Sequence, residues 1–311
     1  TGGCGYKGHV LVPKLLNKGH EGTVIDTMWF GNFLIPSKNL KTIQADLRDT
    51  SAYSLDNIDV IIHLASVAND PCADLDPVLT WEVSTLATLE LLIKCSKSNV
   101  RQFIYASSGS VYGVKTEPKV TEDLELVPIS AYNKTKMVAE RVFLSYANQM
   151  QVHCIRPATV CGLSPRMRLD VSVNMLTYQG LKNGKITVFG GEQTRPNIHI
   201  QDLANVYRHF LVHPEIATGC YNAGFENIKI REIAERVKET TGAEIVITES
   251  NDPRSYRQDS SKLLETGFQP KFSVQDAIEQ ISEAFRNKQL PDGDSCYTVK
   301  WMKQLQLEAT R

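Results

Sequence analysis

A doubly wound α/β fold, with a parallel sheet covered on both faces and a smaller C-terminal portion, is the architecture this sequence predicts. Three observations predict it. Short Val/Ile-rich runs alternate with longer amphipathic stretches through the first half. The runs are apolar throughout, as strands buried on both faces must be. After Arg156 the rhythm breaks, with Pro157, Pro165 and Pro196 arriving among many glycines. The apolar runs at 24–25, 59–64, 102–106 and 151–155 read as strands, and 10–18, 78–97 and 131–148 carry helical periodicity. Right-handed crossovers turn that alternation into a doubly wound sheet. Residues 1–156 are read as the sheet domain. Residues 157–311 are read mainly as a second, ligand-binding portion, with some segments returning to the large sheet. Helices are expected at 230–241, 274–287 and 297–307.

The composition narrows the function classes. The chain has 311 residues, 42% hydrophobic and 22% charged, with a formal net charge of −1. Such a balance gives no pull toward nucleic acid or an anionic membrane, so any basic site is local. No apolar run approaches a membrane span and no signal peptide is visible. The seven cysteines are odd in number and widely spaced. They read as reduced, small hydrophobes of a cytoplasmic protein, with no metal-ligand spacing among them.

Gly2, Gly5 and Gly8 have the spacing G-x-x-G-x-x-G. In such a turn the first glycine permits a tight exit from a strand. The second lets a diphosphate approach the backbone, and the third lets helix and strand pack closely. The following helix aims its N–H groups and positive dipole end at the phosphates. Asp26 ends a strand about 20 residues further on, where a carboxylate binds the ribose hydroxyls and repels a 2′-phosphate. The reading is a Rossmann domain for NAD rather than NADP. The chain opens at Thr1 inside this turn, which normally follows a buried strand, so the true polypeptide is expected to begin a few residues earlier.

Tyr132 and Lys136 lie four residues apart on one helix face. An ammonium beside a phenol lowers its pKa, and a tyrosine drawn toward 7 can act as a base during hydride transfer. The serine-rich run 107–113 follows a strand at its carboxyl end, where ligands of doubly wound sheets sit. It matches no nucleophile elbow.

In this order the motifs resemble the extended short-chain dehydrogenase/reductases, specifically the NAD-dependent sugar-nucleotide epimerase/dehydratase family of the UDP-glucose 4-epimerase-like kind. The resemblance runs from Thr1-Gly2-Gly3-Cys4-Gly5-Tyr6 through Ala45-Asp46-Leu47, His63-Leu64-Ala65, Ser107 to Gly113, Tyr132 to Lys136 and Arg195-Pro196-Asn197 to Tyr221-Asn222-Ala223-Gly224. It implies that Tyr6 joins the glycines at the cofactor, Asp46 and Leu47 contact adenine, and Leu64, Ala65 and Ser66 line the cofactor groove. Ser108 falls on the catalytic Ser/Thr, Tyr132 on the acid/base, and Lys136 also holds the nicotinamide ribose. Asn174, Arg195 and, more weakly, Arg254 and Arg257 fall where the sugar nucleotide's diphosphate is gripped. Arg166 and Arg168 either border the nucleotide or lie in a solvated loop.

The sugar dehydratases of the family carry an Asp-Glu pair directly after the catalytic Ser/Thr, where this chain has Gly109 and Ser110, which argues against dehydration. Ser84, Ala87 and Cys161 also depart from the family pattern without removing a proton-transfer group. The resemblance thus implies an NDP-sugar epimerase working by transient C4 oxidation, with a homodimer formed through the helices at 78–97 and 131–148. The alternatives are a C4 dehydrogenase that releases the keto sugar and, in another class, a non-catalytic NAD-binding sensor.

Overall fold

The computed structural model describes residues 1–249 and 255–309. Helix α1 (Gly8–Leu16) leads to strands β1 (Gly22–Asp26), β2 (Leu40–Gln44) and β3 (Val60–His63). The short helices α2 (Asp70–Ala73) and α3 (Pro77–Trp81) precede α4 (Ala87–Ser96), β4 (Gln102–Ala106), α5 (Ala131–Leu144) and β5 (Gln151–Pro157). Then come β6 (Thr159–Cys161), α6 (Ser172–Asn183), β7 (Lys185–Phe189), β8 (Thr194–His199), α7 (Ile200–Val212) and β9 (Gly219–Ala223). The chain finishes with β10 (Glu226–Lys229), α8 (Ile230–Thr241), β11 (Glu244–Thr248), α9 (Ser261–Leu264), α10 (Val274–Arg286) and α11 (Thr298–Ala309).

Four strands in the order β3-β4-β5-β9 form the main parallel sheet, and β1 pairs with β2 in a second parallel ladder. Thr1 and Gly2 stand between the two: the Leu64 N–H donates to Thr1 O, and the Gly2 N–H to Ile25 O. Every residue of β4 is buried, and its side chains alternate between two cores as a pleat requires. Ile104 and Ala106 pack with Val10, Leu11, Leu203 and Tyr207 under α1 and α7. Phe103 and Tyr105 pack with Leu91, Leu92, Ala139 and Phe143 under α4 and α5. The result is helix, sheet, helix. Each large side chain buried this way contributes about 1.5–3 kcal/mol.

Strand β9 returns to the main sheet beside β5. The remainder builds a three-stranded sheet, β10-β8-β6, and the parallel pair β11-β7. Helices α6, α8 and α10 pack around Val173, Leu176, Ile233, Val237 and Ile278. Helix α10 starts at a capping box, Ser273 with Asp276, which satisfies two end donors reciprocally.

Several elements differ from the sequence-based expectation, among them helix α6, which was not expected, and three whose physical reasons are plain. Strand β2 was not expected, because Leu-Lys-Thr-Ile-Gln is half-buried and carries only two strongly apolar residues. Helix α7 was not expected either. Its N-cap is the last residue of β8, His199, whose ring accepts the Gln201 N–H at 3.1 Å. The single helix expected at 78–97 instead starts at Pro77 behind its cap Asp76. It widens to a π-turn at Glu82–Leu86 before α4, and there Ser84 Oγ accepts the Val67 N–H at 3.3 Å. No described helix is long and apolar enough to cross a membrane.

Candidate active site

The glycine turn is forced by contact distances. A Cβ on Gly8 would lie 2.3 Å from Gly3 O, and one on Gly2, where φ is +70°, would lie 2.5 Å from the Ala65 nitrogen. Real Cβ atoms do not approach that closely, so α1 and the β1/β3 ends meet only over glycine. Gly5 is different: its Cβ position meets only Gly2 O, at 3.4 Å. That side of the backbone opens on a cleft. Asp26 faces the same cleft. Its two oxygens accept the Cys4 N–H at 2.9 Å and the Met28 N–H at 2.7 Å, which orients the carboxylate. Asp46, Leu47, Leu64, Ala65 and Ser66 line the cleft further along. Arg48 holds the Asp46 carboxylate through a hydrogen-bonded ion pair.

At the other end of the cleft stand Tyr132 and Lys136, brought there by α5. Ser130 caps this helix by accepting the Asn133 N–H at 3.1 Å. Lys136 is 2% exposed and donates to the Ala106 carbonyl at the end of β4, at 2.7 Å. Its Nζ lies 5.8 Å from the Tyr132 ring centroid. Ser108, just after β4, is near enough to the Tyr132 phenol to oppose the rise of its pKa. A chain of side chains supports it: Ser108 Oγ meets Ser110 Oγ at 2.7 Å, and the Ser110 hydroxyl donates to Asn133 Oδ1. Ser110 and Asn133 were not singled out from the sequence. Their link spans 23 residues and exists only once α5 lies beside the turn.

The residues 1–224 match the model of the NAD dependent epimerase/dehydratase family. The chain belongs to this family. This epimerase/dehydratase is 27% identical to a UDP-glucose 4-epimerase of Lactobacillus helveticus, over 89% of its length and 93% of the relative's. It is also 27% identical to UDP-glucuronic acid decarboxylase 1 of Xenopus tropicalis, over 96% of its length and 74% of the relative's. Among solved structures it resembles the Thermus thermophilus UDP-glucose 4-epimerase in complex with NAD. The TM-score is 0.81 at 26% identity, covering 92% of this chain and 97% of that one. A Bacillus cereus UDP-glucuronic acid 4-epimerase with UDP-glucuronic acid and NAD gives 0.79 at 25% identity, covering 92% and 98%. The open backbone at Gly5, the oriented Asp26 and the pair Tyr132–Lys136 fit NAD at its diphosphate, its adenosine ribose and its nicotinamide end. The chain is therefore an NAD-dependent enzyme of the short-chain dehydrogenase/reductase type, and the sensor reading finds no support.

The residues expected at the sugar nucleotide of the epimerase/dehydratase fall in different settings. Asn174 is fully buried and its amide is committed inside the protein. Its Oδ1 accepts the Gly162 N–H at 2.9 Å, and its Nδ2 donates to Tyr6 Oη and Arg168 O. It fixes the Tyr6 ring rather than presenting donors to a sugar nucleotide. Arg195 lies on β8 opposite Ile228, in the smaller sheet. Arg254 falls outside the described residues. Arg166 and Arg168 are not in a solvated loop: both line the cleft, with Lys7 and Thr298 beside them.

The protonation balance also corrects the expectation from spacing. Burial pushes the Tyr132 phenol up to about 12, with the nearby Ser108 hydroxyl opposing it. Burial, with Lys7 adding repulsion, brings Lys136 down to about 7. An amine only partly protonated at neutral pH stabilises a phenolate less than a full ammonium, so the lysine does not by itself draw the phenol toward neutrality. This depression has a stability consequence. From pH 7 to 8 the unfolded chain keeps Lys136 protonated while the folded chain releases the proton. Stability therefore rises with pH, by on the order of 1 kcal/mol from this group. Wild-type melting is expected to gain over Lys136→Met across that interval. A difference that stays flat, or falls, contradicts the assignment.

Proposed function

We propose that this enzyme is a nucleotide-sugar 4-epimerase that oxidises its substrate transiently at C4. The observation that carries the reading is Tyr132 and Lys136, one turn apart on α5, lining the cleft at the carboxyl end of β4 where Ser108 follows, with Lys136 anchored on the Ala106 carbonyl. Bound NAD supplies the hydride acceptor and later the donor. Tyr132 takes the C4 hydroxyl proton and returns it. Ser108 turns its hydroxyl from Ser110 Oγ to the oxygen as it becomes a carbonyl, and the Ser110 N–H, donating to Ser108 Oγ at 3.2 Å, keeps Ser108 in place. Lys136, anchored on the Ala106 carbonyl, orients the tyrosine and a ribose. Against dehydration stands the crowding at Gly109, where a Cβ would already lie 3.2 Å from Gln258 Oε1 and 3.3 Å from Pro157 O. An acidic side chain there would have to displace the buried Gln258, and Ser110 is occupied in the serine network.

By their printed names, relatives act on UDP-glucose and UDP-glucuronic acid, so a UDP-sugar is the substrate proposed. The setting proposed is cytoplasmic, in the synthesis of polysaccharide precursors. The test is to incubate the pure enzyme with UDP-, GDP-, dTDP- and CDP-sugars, following products by NMR and absorbance near 340 nm. A C4-inverted sugar with no net NADH supports epimerisation. Stoichiometric NADH beside a free keto sugar replaces it with the C4 dehydrogenase.

A homodimer belongs to the same reading. Val78 and Leu86, on one helical stretch, are 69% and 56% exposed, and Trp81 lies between them. Large apolar groups on one face favour burial against a symmetry mate. In sedimentation the wild type should run as a dimer and Leu86→Glu as a monomer. A monomeric wild type ends the idea.

A further inference from the structure

Beside the glycines, the cofactor cleft is lined by three cations, Lys7, Arg166 and Arg168, of which Arg166 is buried. Arg166 is 5% exposed, with its guanidinium carbon 3.9 Å above the Phe30 ring. Two of its nitrogens donate at 3.3 Å, to Met167 O and Thr298 Oγ1, while its buried Nε has no partner. Arg168 pairs with Asp170 at 2.9 Å. Lys7, the N-cap of α1, is near enough to Arg168 and Lys136 for mutual repulsion. One carboxylate, Asp170, thus sits among three cations. Burying cations costs several kcal/mol each unless an anion compensates them, and a buried guanidinium donor without a partner calls for an acceptor.

Helix α11 holds this cluster in place. Its first residue, Thr298, touches Arg166 through its hydroxyl, and its N–H donates to Asp170 Oδ2 at 2.9 Å. One turn on, the Trp301 indole donates to Trp29 O, and Met302 lines the cleft beside Val67 and Cys72. The C-terminal helix therefore lies over the cofactor end of the cleft, which also holds Asp26, Gly5 and Asp46.

We propose that Arg166 and Arg168, with Lys7 of the glycine turn itself, form an anion clamp, closed by α11, that grips the dinucleotide's diphosphate together with the turn. The proposal rests on the chain binding NAD and not on which sugar reaction follows. Two charged phosphates match the excess of positive charge, and the forked guanidinium suits their oxygens. The sugar nucleotide's diphosphate has the same chemistry. The company of Asp26 and the glycine turn favours the cofactor's.

The test is calorimetric titration of the full-length protein, freed of nucleotide, with ADP-ribose, adenosine and UDP, alongside the amount of NAD carried through purification. Arg166→Met should weaken ADP-ribose about 10- to 100-fold and lower the co-purified NAD, while adenosine and UDP change less than twofold. Lys7→Met, which keeps the side chain's length, should weaken ADP-ribose about tenfold. It also serves if Arg166→Met melts early. Unchanged ADP-ribose binding in both variants overturns the clamp. Loss of UDP binding with ADP-ribose intact assigns the cations to the sugar nucleotide instead and equally overturns it. A wild type that binds no ADP-ribose would undo the NAD assignment itself, a different failure.

Discussion

Replacing Tyr132 by Phe is expected to lower kcat/KM by about 10²–10⁴-fold while NAD and nucleotide-sugar binding change only a few-fold. The ring stays and the hydroxyl goes, so packing around α5 is preserved and the proton carrier is lost. The size of the effect follows from the site's isolation. Tyr132 is enclosed beside Lys136, which is committed to the Ala106 carbonyl, and Ser108 is tied to Ser110. Because burial holds the phenol up at about 12 in the protein alone, its use as a base depends on charge brought in by the bound reactants. Activity in the wild type should therefore climb with pH toward the alkaline side, and that slope should vanish in Tyr132→Phe. A variant within tenfold of wild type would remove Tyr132 from the mechanism.

How much of this was legible in sequence depends on how far apart the cooperating residues lie. The Gly2–Gly8 turn, Asp26 and the pair Tyr132–Lys136 are local patterns, and helix or strand geometry turns their spacing into position. The fully buried strands β4 and β5 read clearly because both faces demand apolar side chains. Strand β2 and helix α7 did not, since one is half-buried and the other starts on the last residue of a strand. The cationic cluster joins α1, the loop after β6 and α11, three segments up to 291 residues apart between Lys7 and Thr298 (298 − 7). No periodicity reports such a meeting. Asn174 misled for the opposite reason: its amide faces Tyr6 and Gly162, a matter of packing that a motif position does not encode. The Tyr132 pKa likewise turned on burial, which outweighed the one neighbour visible by spacing.

Glu140→Leu is expected to cost about 3–5 kcal/mol of stability, more than most core substitutions, because it strands a buried charge. Arg156 and Glu140 are 4% and 1% exposed, and the pair is bidentate: Arg156 Nε meets Glu140 Oε1 at 2.9 Å and Nη2 meets Oε2 at 2.7 Å. Burial works against the guanidinium charge, and the Glu140 carboxylate more than offsets it, holding the pKa above its usual value. The remaining nitrogen, Nη1, donates to Tyr112 Oη at 2.8 Å, and the Tyr112 hydroxyl donates onward to Asn222 Oδ1 on β9. Glu140 sits one helical turn beyond Lys136, while Tyr112 ends the short helical turn that Ser108 caps. The ion pair therefore fastens the helix bearing Tyr132 to the turn bearing Ser108, through the end of β5. Charge and positioning can be separated. The double variant Glu140→Leu with Arg156→Met removes both charges and should recover most of the lost stability in denaturant titration. Its kcat should nevertheless stay about 10²-fold down, since Ser108 and Tyr132 lose their common brace. If the two single losses simply add in the double variant, the pair is not coupled. If kcat returns along with stability, the pair holds the fold together but does not align the site.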